Sequence, residues 1–236
     1  MTSQARDIEA IQRRVIACVR CPELVTYRET VAREKRRAYR DQDYWGKPVP
    51  AFGDPLARVV LVGLAPGAHG SNRTGRMFTG DASGTWLYRA LFRAGFANQE
   101  QQVDRNDGMK LGNAIITAAV RCAPPGNKPT PNERTACLPY LEEELAALET
   151  MRVIVTLGKI ADDTVHRIIK TSGTYRSPRA PFTHGAETLV SLPGSPDVTV
   201  LASYHPSQQN TSTRVLTEPM LDAIFTRARA LITPLR

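Results

Sequence analysis

Between Gly63 and Asp81 the chain gathers an unusual density of groups able to do chemistry: His69, Asn72, Arg73, Thr74, Arg76, Thr79 and Asp81. Ahead of them runs Val59-Val60-Leu61-Val62, a short, β-branched, apolar stretch that reads as a buried strand. Gly63, Pro66, Gly67 and Gly70 then take the chain out of the sheet as an irregular loop. Open α/β sheets place their ligands beyond the carboxyl ends of strands, so this stretch is expected to build an active site. Two more strands end in polar loops. Ala114–Val120 flows into Arg121-Cys122-Ala123-Pro124-Pro125-Gly126-Asn127-Lys128-Pro129, and Val198–Ser203 into Tyr204-His205-Pro206-Ser207. The four cysteines are the other reactive set: Cys18-x2-Cys21 followed by Pro22, then Cys122 and Cys137. The first pair has the spacing of a knuckle, and with the second pair it makes one four-sulfur site. Such a site takes zinc or an iron–sulfur cluster, and spacing alone does not separate them.

These groups are carried on an alternation of strands and helices. Residues 3–17, with Ile8, Ile11, Val15 and Ile16 on one face, read as an amphipathic helix. Residues 26–48 are highly charged; a solvated helix over Arg33–Arg40 is the plain reading and a basic helix beside a DNA groove the sharper one. Trp86–Phe96 is expected to be a helix stopped by Gly95, followed by a polar connection over residues 97–110. Thr130 or Asn132 is placed to cap a helix running through Cys137 to Leu148. Arg152–Leu157 is a third strand, Gly158–Ile169 a helix, and 171–197 a long loop with a short strand at Thr188–Leu192. A helix over Glu218–Ile232 closes the chain. The pattern predicts a mostly parallel sheet covered on both faces. The three polar loops would then lie on the same side of it.

At 236 residues the chain suits one α/β domain, with residues 1–50 tied on through the Cys18/Cys21 knuckle. Its 31 Lys and Arg against 23 Asp and Glu give a net charge of +8, which favours a polyanionic partner, most often nucleic acid. No apolar run reaches the length of a membrane span, and the N-terminus does not read as a signal peptide. The expectation is a soluble, cytoplasmic monomer whose cysteines are metal ligands or core thiols, not disulfides.

Taken together, GLAPGAHGSNRTGRMFTGD at 63–81, VRCAPPGNKPTP at 120–131, YHPS at 204–207 and the four cysteines resemble the uracil-DNA glycosylase superfamily, and within it family 5, the type B enzymes with a [4Fe–4S] cluster. The resemblance runs from Cys18 to His205. It implies a three-layer α/β/α sandwich on a short, mostly parallel sheet, with Cys18, Cys21, Cys122 and Cys137 holding the cluster and zinc as the alternative occupant. It implies DNA containing uracil, or another deaminated base such as hypoxanthine, as substrate. Many relatives place a carboxylate or amide directly after the first strand; here Gly63-Leu64-Ala65-Pro66 has none. Where family 4 has an Asn in the second strand, this chain has Ala118.

Under that resemblance the reaction is hydrolysis of the bond from base to deoxyribose, with an oxocarbenium-like sugar and an anionic leaving base. Phe78 would stack on the extruded pyrimidine. The backbone of Gly63, Leu64, Ala65, Pro66 and Gly67 would meet the base, its N–H groups donating to the base carbonyls, with Asn72 beside them. His205 would donate to the base anion and Asn127 would read a base edge or orient water. Asp81 is assigned the water-positioning carboxylate; it is equally placed to cap the following helix. Arg73, Arg76, Arg121, Lys128, Ser207 and Gln208 would meet phosphates or the gap left by the base. No lysine lies in the first motif to form a Schiff base, which predicts a monofunctional enzyme. The competing readings are a non-catalytic iron–sulfur protein that binds nucleic acid or senses uracil, and an electron carrier.

Overall fold

The computed structural model describes residues 2–233. A seven-stranded sheet of order β1-β3-β2-β4-β7-β6-β5 forms its centre. Its strands are β1 (Phe52–Gly53), β2 (Val59–Gly63), β3 (Ala114–Ala118), β4 (Val153–Leu157), β5 (Thr174–Tyr175), β6 (Glu187–Leu192) and β7 (Ser195–Ser203). The inner four, β3-β2-β4-β7, are parallel; β1, β6 and β5 add antiparallel edges. Every residue of β2, β3 and β4 is buried, as a parallel sheet covered on both faces requires.

Alternation along those strands divides the core in two. Val59, Leu61, Ile116, Val153 and Val155 face α4 (Ala82–Arg93) and α8 (Glu218–Ile232), where Leu87, Leu91, Ile224 and Phe225 meet them. Val60, Val62, Ile115 and Ile154 face α5 (Pro131–Ala147) and α6 (Lys159–Ser172), through Leu141, Leu145, Val165 and Ile169. This is the expected three-layer α/β/α arrangement. Helix α1 (Ser3–Ile16) lies on α5, with Ile11 and Val15 against Tyr140. Helix α2 (Pro22–Glu34) starts at the cysteine knuckle with Pro22 in its first turn, and a single turn, α3 (Ser71–Thr74), lies in the loop after β2.

Some boundaries differ from the sequence expectation. The charged stretch Arg33–Arg40 is not one helix: α2 ends at Glu34, Lys35 takes a left-handed φ of 53°, and only Arg37–Tyr39 forms a 3₁₀ turn. Helix α5 does begin where a cap at Thr130 puts it, at Pro131, with Thr130 and Glu133 forming a reciprocal capping box. Within 171–197 the expected short strand is present as β6; the stretch also contains β5, and β6 turns directly into β7 as a hairpin. Among the described residues no helix is long and apolar enough to cross a membrane.

Candidate active site

Because β2, β3 and β7 are parallel, their carboxyl ends open on one side of the sheet. The three polar loops meet there around a cleft of about 790 Å³. Leu64, Ala65, Gly67, His69, Phe78 and Asp81 line it from the first loop, Ala118, Asn127 and Lys128 from the second, and His205, Ser207 and Gln208 from the third.

Phe78 forms one wall. Its backbone is left-handed (φ 52°), and its ring lies so close over Gly63 that a Cβ there would sit 2.8 Å from Cε2. Gly63 is therefore a packing requirement of the ring and does not itself face the cleft. The imidazole of His205 forms the adjoining wall, with ring centroids 5.8 Å apart and tilted by 33°. That gap is less than two base-stacking separations of about 3.4 Å. The rings are neighbouring surfaces of one pocket, not two sides of a sandwich. Gly158, at the end of β4 with φ 97°, makes room for the histidine: a Cβ there would lie 3.2 Å from that of His205. Burial lowers the His205 pKa to about 4, so the imidazole is neutral at physiological pH.

Asp81 does two things at once. Its Oδ1 accepts from the N–H of Gly84 at 2.9 Å, capping α4. Its Oδ2 faces the glycines of the loop, where a Cβ on Gly67 would be 3.1 Å away and one on Gly70 2.2 Å. Burial raises the Asp81 pKa, against the N–H groups of Gly84 and Ser83 and the charge of Arg73. A desolvated carboxylate with one oxygen anchored and the other on the cleft can position a water or take its proton. Asn127 stands on the lip, exposed, in a left-handed conformation (φ 57°) that Asn tolerates better than most residues. Small Ala118, paired with Gly63 at the strand ends, leaves the floor open.

Several assigned residues lie elsewhere, and the reason in each case is a partner the sequence did not reveal. Arg76 is buried and holds Asp107 through two bonds of 2.7 Å, with Nε to Thr79 at 2.8 Å. Its guanidinium braces the motif from within and is not offered to a phosphate. Arg73 is buried too; it donates to the carbonyls of His69 (2.7 Å) and Gly80 (2.9 Å) and to Gln42 (2.5 Å), and its guanidinium packs on the ring of Tyr39. Arg121 is buried against Glu144, which also accepts from Thr117 and Gln12. Asn72 is fully buried behind the loop, donating to the carbonyls of Arg28 and Ala68, so it does not reach a base. Pro66 is buried off the cleft wall. Ser207 lines the cleft while its Oγ caps α7 (Gln208–Ser212) by accepting from Asn210. Arg36 and Tyr39 also line the cleft; they come from the charged stretch whose sharper reading is a basic helix beside a DNA groove, and they reach the cleft from a turn, not from one helix. Gln102, in the polar connection, accepts from the N–H of Gly80 and donates to the carbonyl of Asp81. Polar residues in a connection carry no periodicity, so nothing marked them.

A family model described as the uracil DNA glycosylase superfamily matches residues 50–229, which span all three loops of the cleft. The chain is 50% identical over 218 residues to a type-5 uracil-DNA glycosylase of Mycobacterium tuberculosis, covering 92% of this chain and 79% of that one. It is 48% identical over 225 residues to another from Thermus thermophilus, covering 95% and 98%. The chain belongs to the type-5 branch of the uracil DNA glycosylase superfamily. Similarity to the type-4 branch is lower: 33% identity to a type-4 uracil-DNA glycosylase of Pyrobaculum aerophilum, over 66% of this chain and 62% of that one.

In this superfamily member the cysteines also converge. Cys18, Cys21, Cys122 and Cys137 wall a void of about 20 Å³, apart from the cleft. Burial raises the pKa of Cys21, Cys122 and Cys137, the last to about 12, and the sulfurs raise one another further. Arg28 donates to the Cys122 sulfur at 3.0 Å, while its Nε and the Nε and Nη1 of Arg121 are buried without a partner. Buried cations with unspent donors beside four sulfurs suit an anionic centre better than four neutral thiols. Among the described residues no three His, Cys, Asp or Glu groups are spaced to ligate a single metal ion.

Proposed function

We propose that the protein is a monofunctional DNA glycosylase of base excision repair that hydrolyses the N-glycosidic bond of uracil in DNA and leaves an abasic site. The observation that carries this reading is the meeting of Asp81, Phe78 and His205 around one cleft at the ends of three parallel strands. An extruded uracil stacks on Phe78, with the His205 imidazole beside it as the neighbouring surface of the pocket. As the C1′–N1 bond breaks, the base leaves with the bonding pair as an anion, and the neutral His205 donates a hydrogen bond to it. Asp81 Oδ2 holds the water whose oxygen bonds to C1′; the water's proton passes to the carboxylate, and the carboxylate charge offsets the cationic sugar. Asn127 and Lys128 meet the strand at the lip. The open floor at Ala118 and the scarcity of side-chain amides deep in the cleft support acceptance of other deaminated bases, hypoxanthine included.

The four cysteines wall one void, which suits a single four-sulfur centre, and the buried Arg28 and Arg121 beside them suit one that carries negative charge; a [4Fe–4S] cluster is the proposed occupant and zinc the alternative. Bound there, the cluster would supply cross-linking of α2 to the β3 loop and α5, with Arg28 and Arg121 offsetting its charge.

An oligonucleotide with one uracil, incubated with the protein and then heated in alkali, should break at the uracil and nowhere else. An unbroken strand overturns the reading.

A further inference from the structure

The charged segment between α2 and β1 takes no part in the chemistry above, yet it borders the cleft. Lys35 turns the chain off the end of α2, and residues 36–45 cross to the first motif. There they are fastened at several points. Arg73 packs its guanidinium 4.0 Å from the centre of the Tyr39 ring and donates to Gln42. The N–H of Trp45 donates to the Arg73 carbonyl at 2.8 Å. The Tyr44 hydroxyl lies 3.0 Å from His69 Nδ1 and accepts from the backbone N–H of Arg36 at 3.4 Å. A buried arginine thus ties an exposed basic loop to the catalytic motif.

We infer that Arg36 and His69 form a subsite for a backbone phosphate next to the flipped nucleotide. Both side chains line the cleft. Arg36 is exposed, and among the described residues no carboxylate pairs with it; the nearby acids of its own loop are Asp41 and Asp43, and Asp43 faces Lys35 at 3.9 Å. The Tyr44 hydroxyl accepts from the backbone N–H of Arg36, and its proton is free for His69 Nδ1; in the tautomer that takes this bond, Nε2 carries the ring proton of a neutral imidazole. Burial and the charges of Arg36 and Arg73 lower the His69 pKa, in keeping with that neutral form. A guanidinium and an imidazole N–H side by side suit phosphate oxygens, not an apolar or cationic group. A volume of about 790 Å³ is in the range of whole small-molecule sites, about 300–1,000 Å³, which leaves room for sugar and phosphate beside the base. Arg36 takes over the role that buried Arg73 and Arg76 cannot play.

The inference rests on the glycosylase reading, and the test separates the two. The probe is an oligonucleotide bearing a non-cleavable 2′-fluoro-deoxyuridine, with the phosphates around it replaced one at a time by neutral methylphosphonate. One replacement should weaken binding to the wild-type protein by about tenfold. Arg36→Gln should bind the unmodified probe about tenfold more weakly, with a salt slope reduced by about 1, and lose nothing further at that one position. His69→Ala should show a smaller loss at the same position, and His69→Gln, which keeps a donor, should recover part of it. Equal losses for Arg36→Gln and wild type at every methylphosphonate position overturn the inference alone, provided the wild-type protein still excises uracil. A wild-type protein without excision overturns the glycosylase reading and this subsite with it.

Discussion

At Asp81 one side chain carries two separable jobs, and substitution can pull them apart. Asn caps helices about as well as Asp, so Asp81→Asn should cost at most about 1 kcal/mol of stability in urea unfolding. A general base lost from the reaction lowers single-turnover excision by about 10²–10⁴-fold. Near-normal excision in Asp81→Asn would leave the residue as a cap alone. The pH profile adds a second reading. The raised pKa of Asp81 places an acid limb above the ordinary carboxylate range, and Asp81→Asn should lack it. His205 should contribute no limb between pH 5 and 8, because its pKa lies at about 4. A folded pKa below the unfolded 6.5 means that the unfolded chain binds the proton first. The contribution of His205 to stability is therefore full above about pH 6.5 and is lost as pH falls toward 4. A rate profile with a limb near 6.5 that disappears in His205→Gln would contradict a buried, neutral imidazole.

The loop from β2 to α4 works as a unit because its glycines let side chains and backbone approach one another. At Gly70 an added Cβ would fall 2.2 Å from Asp81 Oδ2. Gly70→Ala should displace the carboxylate and slow excision by about 10²-fold, the usual consequence of an ångström of misplacement. Gly112→Ala, where the new Cβ meets nothing within 4 Å, is the matched control and should leave the rate unchanged. At this scale the sequence was readable where periodicity or punctuation spoke. Val59–Val62, the Glu218–Ile232 helix and the convergence of the three polar loops all followed from strand ends and helix signals. Arg76 was misread because its partner Asp107 sits in an aperiodic connection, and a loop arginine looks the same in sequence whether it faces solvent or a buried carboxylate. The end of α2 was misread for a related reason. Nothing in EKRRAYR forbids helix, and the left-handed turn at Lys35 is imposed by the fastening of Tyr39 and Gln42 to Arg73.

For the molecule as a whole, the N-terminal helices are held to the sandwich by polar contacts as well as by packing. Gln12 of α1 donates to Glu144, and Arg28 of α2 reaches the sulfur of Cys122. The second attachment depends on what fills the cysteine void. With an iron–sulfur cluster, protein purified without oxygen should be coloured, with broad visible absorption, and contain about four irons per chain. Removing the iron should lower the melting temperature and expose the segment before β1 to protease, since metal binding free energy at such sites is folding free energy. Colourless protein with zinc in place of iron would reject the cluster and keep the cross-link. The same attachment reaches the cleft, because the carbonyl of Arg28 accepts from Asn72 behind the motif.

The left-handed backbone at Phe78 limits what can replace it in any descendant of this sequence. Tyrosine or tryptophan there would inherit the same geometry and keep a flat surface. Valine, isoleucine or threonine would carry a conformational penalty of about 1–2 kcal/mol before any loss of aromatic contact. Drift at this codon is thereby steered among rings, even in a lineage whose preferred lesion has changed.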